Sequence, residues 1–254
     1  MTNHYFSEEV VNRIVTEKWP KLTSLLPVKW YYIESPLTQW LIHHEEDLYS
    51  SSISYLEEEL LMIQERFPSS FKKWVGTIGV KGSFWSKRFE SIVIFLLLKA
   101  GVNVTAIDTT IPGSKKELDL KIEDERGTVF IECTSLRFDH SMPNRTLLNS
   151  LQRKMKQLVN CPGQKIVMVD GTRLTENFFL NVKGVEDVIE KVLKMDKEHD
   201  ISFVMIFKMN PNSPERLTAI RAYAAPWGEV TPLVNEVMKA CHIGHRGFKI
   251  IEMS

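Results

Sequence analysis

Two short segments carry acidic residues where a buried strand would not ordinarily hold them. In ELDLKI, Leu118, Leu120 and Ile122 alternate with Glu117, Asp119 and Lys121, so the two sets leave opposite faces of a strand. In TVFIECT, Val129, Ile131 and Cys133 alternate with Thr128, Phe130, Glu132 and Thr134, and Glu132 is the one charged residue of the run. EDERG between them reads as a hairpin turn. A hairpin centred between Glu125 and Arg126 sets Asp119 directly opposite Glu132. Cross-strand neighbours have Cβ atoms about 4.5–5.5 Å apart, and two carboxylates at that distance repel unless a cation lies between them. A divalent ion meets that need. Hard oxygen donors suit Mg²⁺ or Mn²⁺, held through one or two carboxylates plus a substrate phosphate, and the chemistry that follows is phosphodiester hydrolysis. The plainer alternative is a solvated Asp119 and a Glu132 paired with a lysine across the sheet.

Glu90 in WSKRFES, Asp119 in ELDL and Glu132 in IECTSL, in that order, resemble the motif of the PD-(D/E)XK, or restriction endonuclease-like, nuclease superfamily. The resemblance spans about residues 83–170 and includes the order helix, strand, hairpin, crossover helix, strand. It implies that Asp119 and Glu132 hold a metal, that Glu90 supports it directly or through water, and that a lysine positions or activates the attacking water. Leu118 stands where that family usually has proline, and Thr134 stands where it has the lysine. Relatives that include the cap-snatching viral endonucleases carry the lysine on the following helix instead. In SLQRKMKQL the apolar stripe runs through Leu147, Leu151, Met155 and Leu158. At 100° per residue Lys154 falls at its margin, with Gln157 on the same flank, while Arg153 and Lys156 point further away.

The resemblance therefore implies a catalytic set of Glu90, Asp119, Glu132 and Lys154, with Mg²⁺ or Mn²⁺ on the three carboxylates. Gln157, Lys156, Arg153 and Lys116 are the expected substrate contacts. DNA ranks before RNA, because most of the superfamily cuts DNA. Missing lysine at position 134 supports the alternative, a catalytically inactive nuclease-fold protein that binds nucleic acid or a partner protein. A homodimer is compatible with either reading.

The elements that must position these groups follow from periodicity. Residues 1–80 read as a helical region holding Trp19, Trp30, Trp40 and Trp74, with an amphipathic helix from Leu48 to Phe67; tryptophans in such a setting are core residues first and base-stacking platforms second. Residues 81–254 form the expected nuclease domain. It opens with a helix from about Phe84 to Ala100, closed by Gly101, whose apolar IVIFLLL half must be buried. Strands are expected at Val102–Ile107, Glu117–Ile122, Thr128–Thr134 and Lys165–Asp170, with a helix from about Thr146 to Val159 making a parallel crossover. The remainder reads as a helix (Val185–Met195), strands (Ile201–Lys208 and Leu217–Tyr223), a helix (Thr231–His242) and a last strand (Phe248–Met253). The class is α/β or α+β: a mixed sheet flanked by helices, with an N-terminal helical region.

Composition agrees with a folded, soluble protein. Of 254 residues, 43% are hydrophobic and 25% charged, which excludes global disorder. Lysine plus arginine equal aspartate plus glutamate at 32 each, so attraction to nucleic acid must come from a local patch. Three cysteines without zinc-ligand spacing, and a start lacking the basic and apolar regions of a signal peptide, suit the cytoplasm. The most apolar run, Ile92 to Leu98, is far short of the ~20 residues of a membrane helix. Neither GxxxxGK[ST] nor GxGxxG occurs, so nucleotide-hydrolysing or dinucleotide chemistry has no support.

Overall fold

The computed structural model describes residues 8–26, 36–78, 83–110, 117–136, 143–172, 182–196, 198, 200–242 and 250–253. The chain forms two compact units, one of Met1–Phe95 with Asn210–Arg216, the other of Leu96–Met209 with Leu217–Ser254.

Helices build the first unit: α1 (Glu8–Lys18), α2 (Pro20–Leu25), α3 (Pro36–Ile42), α4 (Asp47–Arg66), α5 (Pro68–Gly76) and the first part of α6 (Phe84–Lys99). Leu22, Leu41, Ile53, Leu56, Leu60 and Ile63 are buried, as are Trp19, Trp40 and Trp74, so these three tryptophans are core residues; Trp30 lies outside the described residues. Burial here includes charge. Glu59 of α4 is fully buried and pairs with Arg88 and, at 2.9 Å, with Arg216 Nε, while the Ser91 hydroxyl donates to it at 2.9 Å. The Arg216 guanidinium lies over the rings of Phe95 and Tyr55, at 4.1 and 4.4 Å. Burial, and then the neighbouring charge of Arg216, push Arg88 down to about 9.

The second unit is built on a mixed seven-stranded sheet, which places the protein in the α/β class. Its strands, β1 (Val104–Thr110), β2 (Glu117–Asp124), β3 (Gly127–Ser135), β4 (Gln164–Asp170), β5 (Phe203–Met209), β6 (Leu217–Ala224) and β7 (Ile250–Glu252), lie side by side in sequence order. Pairing is antiparallel for β1/β2, β2/β3 and β5/β6, and parallel for β3/β4, β4/β5 and β6/β7. A parallel neighbour needs a crossover, and α7 (Pro143–Leu158) provides it between β3 and β4. α7 starts earlier than periodicity suggests because Pro143 is well suited to a first helical turn. Also among the described helices are α8 (Val182–Met195) and α9 (Pro232–Ala240).

Helix α6 stops where Gly101 adopts φ +77, and the Val102 amide then bonds back to the Leu97 carbonyl at 2.9 Å. All residues from Ile92 to Leu97 are buried, as an all-round apolar helix requires. On the sheet, Phe130, Val167, Val169, Val204 and Ile206 share one buried cluster with Leu147, Leu151 and Leu158 of α7 and Val185, Ile189 and Val192 of α8. Alternation turns Leu120, Ile122, Ile131 and Cys133 to the opposite face, where they too are buried. No described helix is long and apolar enough to cross a membrane.

Candidate active site

The β2–β3 hairpin turns at Glu125 and Arg126, and its ladder pairs Ile122 with Val129, Lys121 with Phe130 and Leu120 with Ile131. One step beyond that last pair stand Asp119 and Glu132, facing each other as the turn requires. There the side chains take over the ladder. The Asp119 amide donates to Glu132 Oε1 at 3.2 Å, and the Cys133 amide donates to Asp119 Oδ2 at 2.7 Å. Buried amides must find acceptors, and at this point the two acids supply them.

The cation between the carboxylates is Lys154. Leu151 and Leu158 of α7 are fully buried, and Lys154, three residues after one and four before the other, shares their inward side. Its ammonium donates to Glu132 Oε2 at 2.6 Å and to Asp119 Oδ2 at 3.0 Å. Glu132 is fully buried and Lys154 is 6% exposed, whereas Arg153 and Lys156 are exposed and Gln157 is half-buried. Helical phase thus separates the one inward lysine from its two basic neighbours. Thr134, where the family motif would have a lysine, is buried two residues beyond Glu132.

Electrostatics follow from this packing. Burial, and then the charge of Asp119, push the Glu132 carboxyl up to about 8, against the opposing pull of Lys154. Burial alone would lower the Lys154 ammonium; the charges of Asp119 and Glu132 outweigh it and hold the group above its ordinary range.

A third acid joins the row. Ile107 pairs with Leu120 and Thr109 with Leu118, so Asp108 stands opposite Asp119, and their carboxylate oxygens lie within 4.8 Å. Asp108 adopts φ +43, a left-handed conformation that aspartate tolerates better than its β-branched neighbours would. A first strand ending at Ile107 would exclude Asp108, whereas β1 runs on to Thr110. The available signal was an acid inside the otherwise β-branched and apolar run VTAIDTT. Across the sheet the row continues through Val167 and Val204 to Tyr223, so the acids occupy its β1–β3 part and apolar packing the rest.

No family model, curated protein or solved structure matches the chain. Asp108 and Asp119 bring carboxylate oxygens within 4.8 Å of each other, and Asp119 shares the Lys154 ammonium with Glu132.

Glu90 belongs to the first unit. It is buried, accepts a hydrogen bond from the Trp74 indole and pairs with Lys87 Nζ at 2.9 Å. Lys116 lies outside the described residues.

Proposed function

We propose that the protein is a metal-dependent nuclease, hydrolysing phosphodiester bonds of DNA in preference to RNA. The observation that carries this reading is the Lys154 ammonium lying against both Asp119 and Glu132. It supports the lysine expected of the motif being supplied by the crossover helix rather than by position 134. The donor set fits Mg²⁺ or Mn²⁺: hard carboxylate oxygens held close together. Asp119 and Glu132 would hold the ion, with Asp108 beside them, and the resemblance adds Glu90. Bound there, it would polarise the phosphodiester and lower the pKa of a water.

The chain's own groups divide the remaining work. Asp119 is fixed by the Cys133 amide and Glu132 by the Asp119 amide, so both carboxylates are oriented before substrate arrives. Lys154 offers a positive charge for the pentavalent phosphorus or the attacking water. Helix α7 carries Arg145, Arg153, Lys154 and Lys156 and no acidic residue, which favours a polyanionic partner despite the neutral chain. Gln157 and Lys116 complete the proposed substrate contacts.

Incubation of the protein with single- and double-stranded DNA and RNA, with Mg²⁺, Mn²⁺ or chelator, tests the reading: cleavage is expected with metal and none with chelator. One observation favours the second reading, an inactive scaffold that binds nucleic acid or a partner protein. Both Glu132 oxygens and Asp119 Oδ2 already bond to groups within the cluster. Calorimetric titration with Mg²⁺ separates the two readings, since the scaffold binds none.

A further inference from the structure

We infer that Lys154 is a displaceable resident cation, which occupies the Asp119–Glu132 cradle in the metal-free protein and must withdraw when a divalent ion enters. The inference rests on the metal-site reading above and adds to it how the site is regulated.

The ammonium touches one oxygen of each carboxylate, 2.6 Å from Glu132 Oε2 and 3.0 Å from Asp119 Oδ2. Magnesium binds oxygen at about 2.0–2.1 Å, so an ion on those same oxygens lies closer to both than the ammonium does. Two cations beside each other in one buried cradle repel strongly, because little water screens them. The other Glu132 oxygen accepts a hydrogen bond from the Asp119 amide at 3.2 Å. Lysine is suited to leaving, because its charge sits on a flexible four-carbon stem.

Two consequences follow. Lys154 neutralises the buried acids while no metal is present, so the apo fold does not carry unpaired carboxylates. The same ion pairs set a threshold that the metal must overcome, and the released ammonium becomes available to the substrate phosphate only after metal has entered.

The test compares Mn²⁺ binding by calorimetry for the wild-type chain and Lys154→Met, which keeps the stem without the charge. Lys154→Met is expected to bind Mn²⁺ at least tenfold more tightly than the wild type, whereas binding by the variant alone overturns the displacement, since Lys154 then does not yield to the ion. Equal or weaker binding by Lys154→Met, with the wild type binding, overturns the displacement and leaves the metal site standing. Absence of binding in both overturns the metal reading together with the inference. A wild-type measurement covers the case in which the variant does not fold. Acetylation of Lys154 by an amine-reactive ester, followed by mass spectrometry, is expected to rise at least tenfold when calorimetrically saturating Mn²⁺ replaces chelator. Protection that persists at saturation overturns the proposal.

Discussion

The Lys154 ammonium lies 2.6 Å from Glu132 Oε2, joining the C-terminal half of a crossover helix to the strand before it. Both groups are buried, and Asp119 completes the bridge from the neighbouring strand. Buried ion pairs of this kind add little net stability, but breaking one by removing a single partner is costly, because a charge is then left unpaired in a poorly screened interior.

Lys154→Ala is therefore expected to lower the metal-free protein's unfolding free energy by about 3–5 kcal/mol. Glu132→Gln with Lys154→Met should cost less than the sum of the two single changes, since the double variant leaves fewer unpaired charges. Denaturant titrations in chelator provide the cycle. In single-turnover assays at saturating metal, Lys154→Ala should lose on the order of 10²-fold or more in rate, and adding Thr134→Lys should restore part of it.

The raised Glu132 carboxyl makes stability depend on pH. That carboxyl is raised from an ordinary 4.5 to about 8 in the folded protein, so the folded state binds more protons than the unfolded chain between those values. Stability then falls as pH rises through this window. The raised Lys154 contributes stability that is present below its ordinary 10.5 and is lost only at more alkaline pH. Urea titrations of the metal-free protein at pH 5 and pH 8.5 should show the more stable protein at pH 5, and Glu132→Gln should remove most of the difference. Because the proton must leave before metal binds, Mn²⁺ affinity should rise over the same range.

Asp119→Asn keeps the shape of the side chain but loses the charge that would hold the metal. Cleavage should fall to background while the circular dichroism spectrum and unfolding cooperativity stay those of the parent. Wild-type cleavage by this variant at saturating Mg²⁺ would remove Asp119 from the mechanism. Glu90→Gln, assayed alongside, tests the helix carboxylate that the resemblance adds.

Tyr223 is fully buried on β6, and its hydroxyl has no hydrogen-bond partner among the described residues. Burial, and then the charge of Glu186, hold that hydroxyl above its ordinary pKa. Tyr223→Phe should raise thermal stability, by about 1 kcal/mol, because an unpaired buried polar group is removed without opening a cavity. Calorimetric melting of the two proteins decides it.

The hairpin register was legible from the sequence because it depends on short-range rules. A two-residue turn at Glu125 and Arg126 and strict alternation on both strands are enough to oppose Asp119 and Glu132. The inward aim of Lys154 was legible for the same reason, since helical phase relative to Leu151 and Leu158 is a local property. Only the tertiary structure decided what those residues do together. The contacts of Lys154 with Asp119 and Glu132 join positions 35 and 22 residues apart, and they exist because the crossover lays α7 over the strands rather than because of any local pattern. Asp108 enters the row through the β1–β2 pairing and a left-handed backbone that alternation does not predict. Arg216 reaches Glu58 across 158 residues, and nothing near either residue in the chain announces it. Periodicity reports which way a side chain faces, whereas the partner it meets depends on which elements pack together, and that choice belongs to the whole fold.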